Sequence, residues 1–231
     1  MKIFFPFSYI EKGKLNGFFI DITRHILEKK MHYKVISEAF PWERAQEYVK
    51  KGESDSHITL ITEERKKFLI FNHTPIFKTQ AVILYSINNP RKNEIEKIES
   101  KNDLKKFKIN DYIGNKFSKD NFPISEGFEF EYSSNLEILL KKLDKNRGDI
   151  AFVTFSNFTS LAGKKENKEN LKSIKVKLIE FIDSKNYFYL ALRKDYPNSQ
   201  IILDEFDTEL IKLKKSGEIN KFFNKYNISE L

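Results

Sequence analysis

The hydrophobic pattern switches repeatedly between a 3.6-residue period and short apolar runs. Residues 20–31 place Ile22, Ile26 and Leu27 on one face, which predicts a helix. Tyr33 to Ala39 predicts a strand. Pro41 sits where a missing N–H costs little and opens a helix from Trp42, which Lys51-Gly52 ends. Ile58 to Ile61 reads as a short buried strand, and Thr62 caps a brief helix with Glu63, Glu64 and Arg65 in its first turn. Thr79 to Tyr85 is a strong strand. Asn88-Asn89-Pro90 breaks the pattern, and residues 91–102 are charged and loop-like, with a helix start at Asn102-Asp103-Leu104. Lys108 to Ile113 is strand-like despite Asn110 and Asp111, Gly114 makes a turn, and Asn115 to Phe122 is a short helix. Ser134 caps an amphipathic helix carrying Leu136, Leu139, Leu140 and Leu143. Asp149 to Val153 has the continuous apolar character of a buried parallel strand, and Thr154 to Ala162 is helical. Strands at Ile174 to Ile179 and Tyr187 to Leu192 precede a helical end, striped by Ile202, Phe206, Leu210 and Leu213 and punctuated by Gly217.

Repeated strand–helix–strand units predict an α/β protein with mostly parallel sheets. With 231 residues the chain suits one large domain or two small ones. Aromatic residues make up 14%, including 22 Phe, which excludes a disordered chain. The net charge is +8, but only six of the 41 basic residues are Arg. Arg is the preferred reader of phosphates and base edges, so this charge reads as a lysine-rich solvated surface and no nucleic-acid partner is expected. The lysine-rich stretch from Gly163 to Asn170 reads as a solvated loop in the same way. No run approaches the roughly 18 apolar residues of a membrane span. The absence of cysteine removes thiolate metal sites and Cys nucleophiles. His25, His32, His57 and His73 lack metal-ligand spacing and read as packing or surface residues. No phosphate-binding glycine loop and no nucleophile elbow occurs, so neither a cofactor nor a metal is expected.

Several segments, in order, resemble a known family. Phe5-Pro6-Phe7-Ser8-Tyr9, then Gly13 to Phe18, then Asp21 opening a helix, look like the start of the bacterial extracellular solute-binding proteins of family 3, receptors of polar amino-acid ABC importers. Pro41-Trp42-Glu43-Arg44-Ala45 and Lys51-Gly52-Glu53-Ser54-Asp55 are similar to a subgroup. Thr62 to Phe71 resembles the family's T-x-E-R-x-x-x-x-x-F segment. Asn146 to Phe152 resembles its second-lobe strand, Tyr187 to Leu192 its returning hinge strand, and Gly217 to Tyr226 its last helix.

The resemblance implies two α/β lobes of the type II periplasmic-binding-protein fold, joined by two hinge strands. The first lobe would hold residues 1–84 and 187–231, the second residues 85–186. Such a protein works by population shift, because a ligand that touches both lobes favours the closed form. The expected function is capture of a small carboxylate-bearing ligand, an amino acid or related organic acid, by a periplasmic monomer that serves a membrane ABC permease.

Arg65 is the first candidate. A guanidinium on the first turn of a helix presents a planar fork to a carboxylate, although the residue pattern alone favours a surface ion pair with Glu63, Glu64 or another acid. The resemblance gives Arg65 the ligand's carboxylate, with Thr62 in the same motif. It places Phe4 and Trp42 where rings stack on the ligand; packing in a core is the competing role. Tyr187 is a further candidate with a hinge-packing alternative. Gly114, Asn115 and Lys116 form a helix-start turn, which is either an ordinary connection or a carboxylate cradle.

Two departures change the expected ligand. The family's polar residue five positions before the arginine is Leu60 here. Its acidic residue that grips the ligand ammonium is Thr154 here, which accepts one hydrogen bond without a charge. Either another acid, such as Asp183, supplies that charge or the ligand lacks an α-ammonium. Leu60, Phe4 and Trp42 together would favour a carboxylate with an apolar or aromatic flank. A third departure is the start, where only Met1 to Phe5 precede Pro6 and no apolar signal core follows. Either a signal peptide and part of the first strand are missing or that strand is unusually short, so secretion is an implication of the resemblance. The same fold hosts a dehydratase of cyclohexadienyl acids, and it also serves as a detached ligand-sensing domain. Both are alternatives.

Overall fold

The computed structural model describes residues 5–113, 115–163 and 171–230, without the side chain of Lys116. Phe4, Gly114 and nearly all of the lysine-rich 163–170 stretch therefore lie outside the described residues. The chain divides into two compact units. One holds Met1–Lys78 and Asn186–Glu230, the other Thr79–Lys185.

The first unit opens with a hairpin, β1 (Tyr9–Glu11) against β2 (Lys14–Asn16), turned at Lys12-Gly13 with both residues at positive φ. Gly17 then takes φ 135°, and a Cβ there would lie 2.2 Å from the Phe7 carbonyl oxygen, so only glycine fits the entry to α1 (Phe18–Arg24). The helix starts two residues before the periodicity begins. Its continuation, His25–Lys30, is π-helical, and the Met31 N–H reaches the Ile26 carbonyl.

The strand expected over Tyr33 to Ala39 is absent, since these residues lie outside any described helix or strand. A ladder forms only against a neighbour, and no described strand pairs with this segment. Next come α2 (Trp42–Lys51), ended by Gly52 at φ 80°, and β3 (Ser56–Thr59). Then follow the four-residue α3 (Glu63–Lys66), β4 (Leu69–Phe71) and β5 (Phe77–Ser86), which carries the chain into the second unit.

In the second unit, residues 91–102 are more structured than their charge suggests. Helix α4 (Lys92–Ile95) forms there because Ile95 and Ile98 are buried. A 3-10 turn at Asn102–Lys106 leads to β6 (Ile109–Tyr112), in which Asn110 and Asp111 are both buried. The order continues through α5 (Lys116–Asn121), β7 (Phe130–Ser133), α6 (Leu136–Asp144), β8 (Ile150–Thr154), α7 (Phe155–Ala162) and β9 (Ile174–Leu178). Asn135, not Ser134, caps α6, accepting the Ile138 N–H at 2.9 Å.

The sheets are less parallel than expected. Strand β6 is parallel to β7 and β8, but β5 is antiparallel to both β8 and β9, with Ala81 opposite Thr154 and Val82 opposite Val153. The long strand that enters the unit runs against its neighbours, so the expected all-parallel β8 has one partner of each kind. Strand β5 is covered on both faces. Ala81, Ile83 and Tyr85 join one apolar layer with Phe122, Phe128 and Phe152, while Val82 and Leu84 join Leu139, Leu140 and Leu143 in another. The Phe122 and Phe152 rings stack at 4.5 Å.

Strand β10 (Lys185–Arg193) returns the chain to the first unit, where it lies between β3 and β4, antiparallel to both. Helices α8 (Ser199–Lys215) and α9 (Asn220–Tyr226) complete that unit. Its core joins Phe7, Phe18, Phe77 and Phe206 with Ile22 and Ile26, all fully buried. Burying one such side chain stabilises by roughly 1.5–3 kcal/mol. Asp207 on α8 ties the segment before β5 in place, accepting from the His73 N–H (2.6 Å), the Thr74 N–H (2.8 Å) and Asn72 Nδ2 (2.8 Å).

Candidate functional site

Arg65 is built into the first unit by three elements. Thr62 Oγ1 caps α3 by accepting the Arg65 N–H at 3.2 Å, which fixes the residue on the short helix after β3. Its guanidinium then donates from Nε to Gln46 Oε1 at 3.0 Å and from Nη1 to the Leu60 carbonyl at 2.9 Å. The Trp42 ring lies 5.1 Å from the guanidinium carbon, a cation–π contact. Trp42 and Gln46 stand four residues apart on α2 and so share a helix face.

The alternative ion pair with Glu63 or Glu64 does not form. Glu63 holds Lys66 at 2.7 Å instead, and among the described residues no carboxylate lies within ion-pair distance of Arg65. Burial pushes the Arg65 pKa down and the nearby charge of Glu64 opposes that, yet a guanidinium stays charged. Two of its five N–H groups are engaged. Both Nη2 hydrogens and the second Nη1 hydrogen are left for an acceptor.

Leu60 enters this site through its backbone oxygen, while its side chain is half-buried. Trp42 is 43% exposed, so it is not a core residue. Its ring also meets His57 edge-on, with centroids 5.4 Å apart. Tyr187, on β10 of the same unit, is 39% exposed.

Gln46 and His57 were not among the sequence candidates. The i, i+4 spacing from Trp42 would have found Gln46. His57 carries no local signal, because what brings it to Trp42 is the packing of α2 on β3.

The second unit presents a different arrangement. Asn115 precedes α5 and its Nδ2 donates to Asp111 Oδ1 (2.8 Å), Ser118 Oγ (2.9 Å) and the Phe152 carbonyl (3.1 Å). The Asp111 carboxylate also accepts the Tyr112 N–H at 2.7 Å and is 1% exposed. Burial raises its pKa against these hydrogen bonds, and no described cation pairs with it. Thr154, at the start of α7, is half-buried, and its hydroxyl makes no hydrogen bond among the described residues. Asp183 spends its carboxylate on the Lys185 N–H at 3.2 Å. Among the described residues no group of three or more His, Cys, Asp or Glu is placed to hold a metal ion.

This topology defines a type II periplasmic binding protein. The L-cystine solute receptor of Neisseria gonorrhoeae, in its unliganded open conformation, superposes with a TM-score of 0.72 at 21% identity, over 100% of this chain and 92% of that one. Residues 2–229 match the model of the bacterial extracellular solute-binding proteins, family 3, and the chain belongs to that family. The arginine-binding periplasmic protein of Mannheimia haemolytica is 25% identical over 225 residues, 96% of this chain and 86% of that protein. An ancestral arginine-binding protein bound to arginine is 25% identical with a TM-score of 0.60, covering 97% of this chain and 94% of that one. These relatives are binding proteins.

Proposed function

We propose that this chain is a periplasmic solute receptor that captures a small carboxylate-bearing molecule and delivers it to an ABC-type permease. The observation that carries this reading is Arg65. It is a half-buried guanidinium, braced by Gln46 and the Leu60 carbonyl, with no carboxylate partner among the described residues. Holding such a cation away from water is costly unless an anion completes it. A ligand carboxylate on Nη1 and Nη2 completes it, with Trp42 as an exposed aromatic wall beside it.

Thr154 and Asn115, the described polar candidates of the second unit, are uncharged. Thr154 offers a hydroxyl and no charge, and Asp111 is sealed from solvent. The ligand class this favours is a carboxylate with an apolar or aromatic flank, in preference to one that depends on a strongly gripped ammonium.

A thermal-shift screen over amino acids, aromatic and aliphatic carboxylates and short peptides tests this. A ligand at one hundred times its dissociation constant stabilises the folded chain by about 2.7 kcal/mol. Aromatic carboxylates are expected to give the largest shifts. Tight binding of L-arginine or L-glutamate, with no response to any apolar carboxylate, contradicts the ligand class.

A further inference from the structure

His57 lies on β3 in the first unit, opposite Ala191 on β10. Its ring packs edge-on against Trp42 at an interplanar angle of 66°. Both Nδ1 and Nε2 are closed off from solvent, and neither has a hydrogen-bond partner among the described residues. An imidazole always carries at least one donor, and its neutral form carries one acceptor as well. Buried polar groups of this kind are almost always satisfied, so an orphan pair calls for a partner. Burial, and then the charge of Arg65, hold the ring neutral by pulling its pKa down to about 4.

Trp42 covers this imidazole. The indole is held by ring contacts with His57 and Arg65, and its side chain makes no hydrogen bond among the described residues. An indole held by such contacts can move without breaking a hydrogen bond. Arg65 and the orphaned imidazole both lie against that one indole. Burial and the charge of Arg65 together disfavour a positive charge there, so the group suited to the imidazole is neutral.

We propose that His57 is a specificity-determining residue of the Arg65 site. Once the indole shifts, it reads a neutral hydrogen-bonding group, such as a hydroxyl, carried next to the ligand's carboxylate. The inference rests on the reading of Arg65 as the carboxylate receptor and adds the second polar feature of the ligand.

Calorimetry on the full chain with 3-phenyllactate and 3-phenylpropionate, which differ by one hydroxyl, tests it. The wild type is expected to bind phenyllactate at least about tenfold tighter. His57→Phe, and the smaller His57→Leu if the first does not fold, should bind the two acids equally. His57→Gln, which restores a neutral donor and acceptor, should recover part of the preference. Trp42 is the only tryptophan, so its emission reports displacement directly and should change on adding phenyllactate. A preference that survives undiminished in the apolar variants, its absence from the wild type, or unaltered emission at saturation overturns the inference. Arg65→Ala separates the two readings. Loss of both acids there supports the carboxylate receptor, and unchanged binding of both overturns that receptor while the hydroxyl preference still decides the role of His57.

Discussion

Among the described residues, each unit shields a charged side chain from water without a partner of opposite charge, Arg65 in part and Asp111 almost completely, with opposite signs and opposite consequences. In the first, Arg65 is a cation without an acid. Its hydrogen bonds to Gln46 and the Leu60 carbonyl use two donors and leave the remaining N–H groups open. In the second, Asp111 is an acid without a cation. It is 1% exposed, and its carboxylate is turned inward on the Tyr112 N–H and Asn115 Nδ2. An unpaired buried charge therefore does not by itself mark a binding site. What separates the two is whether hydrogen-bonding capacity remains where a ligand can reach it. Arg65 retains such capacity, whereas Asp111 is spent on shaping the turn before α5.

Acid pulls this comparison apart, because the two units contain groups shifted in opposite senses. The largest stability effect is expected at His57 in the first unit. Its folded pKa of about 4 lies below the ordinary value, so the unfolded chain binds more protons as the solution is acidified. The stabilisation is present above about pH 6.5 and is lost as pH falls towards 4, on the order of 3 kcal/mol for a shift of this size. Urea unfolding of the wild type and His57→Phe at pH 7 and pH 4.5 measures it. The wild type should lose more stability than the variant, and equal losses would remove His57 from the account.

Asp111 has the other sign. Its folded pKa is raised by burial, so the folded chain holds the proton more firmly than the unfolded one. Its favourable contribution is present at acid pH and lost as pH rises through the folded pKa. Asp111→Asn, which keeps the shape and removes the charge, should therefore be neutral or stabilising by about 1 kcal/mol at pH 7. A loss of several kcal/mol in denaturant melts would show instead that the ionised carboxylate holds the turn.

A smaller effect of about 1 kcal/mol is expected from Thr62→Ala, which removes the cap that fixes Arg65 on α3. Ligand affinity should fall with it, since the guanidinium loses its backbone anchor. A variant less stable but unchanged in affinity would show that Gln46 and Leu60 alone position Arg65.

Local signals made much of the fold legible. Gly52, Thr62 and the leucine stripe on α6 each mark an element through chemistry confined to a few residues. The failures are non-local. Tyr33 to Ala39 has the composition of a strand and no described strand to pair with. The mostly parallel sheet was inferred from alternation of elements, which does not reveal that β5 runs against β8 and β9. Residues 91–102 look solvated by charge, yet Ile95 and Ile98 anchor them.

The site divides in the same way. Arg65, Thr62 and Trp42 come together and were readable from one helix-start motif and one proline-tryptophan pair. Gln46 was within reach of a spacing argument. His57 was not, because β3 and α2 meet only in the folded unit. Leu60 was read for its side chain and contributes its carbonyl.

The central claim is that the open donors of Arg65 take the carboxylate of the ligand. Calorimetry of Arg65→Ala and Arg65→Lys with the strongest carboxylate from the thermal screen tests it most directly. The account predicts a loss of at least about a hundredfold for Ala, with Lys recovering only part, because a point charge replaces a bidentate fork. An Arg65→Ala chain that folds normally and binds the same carboxylate with wild-type affinity would contradict it.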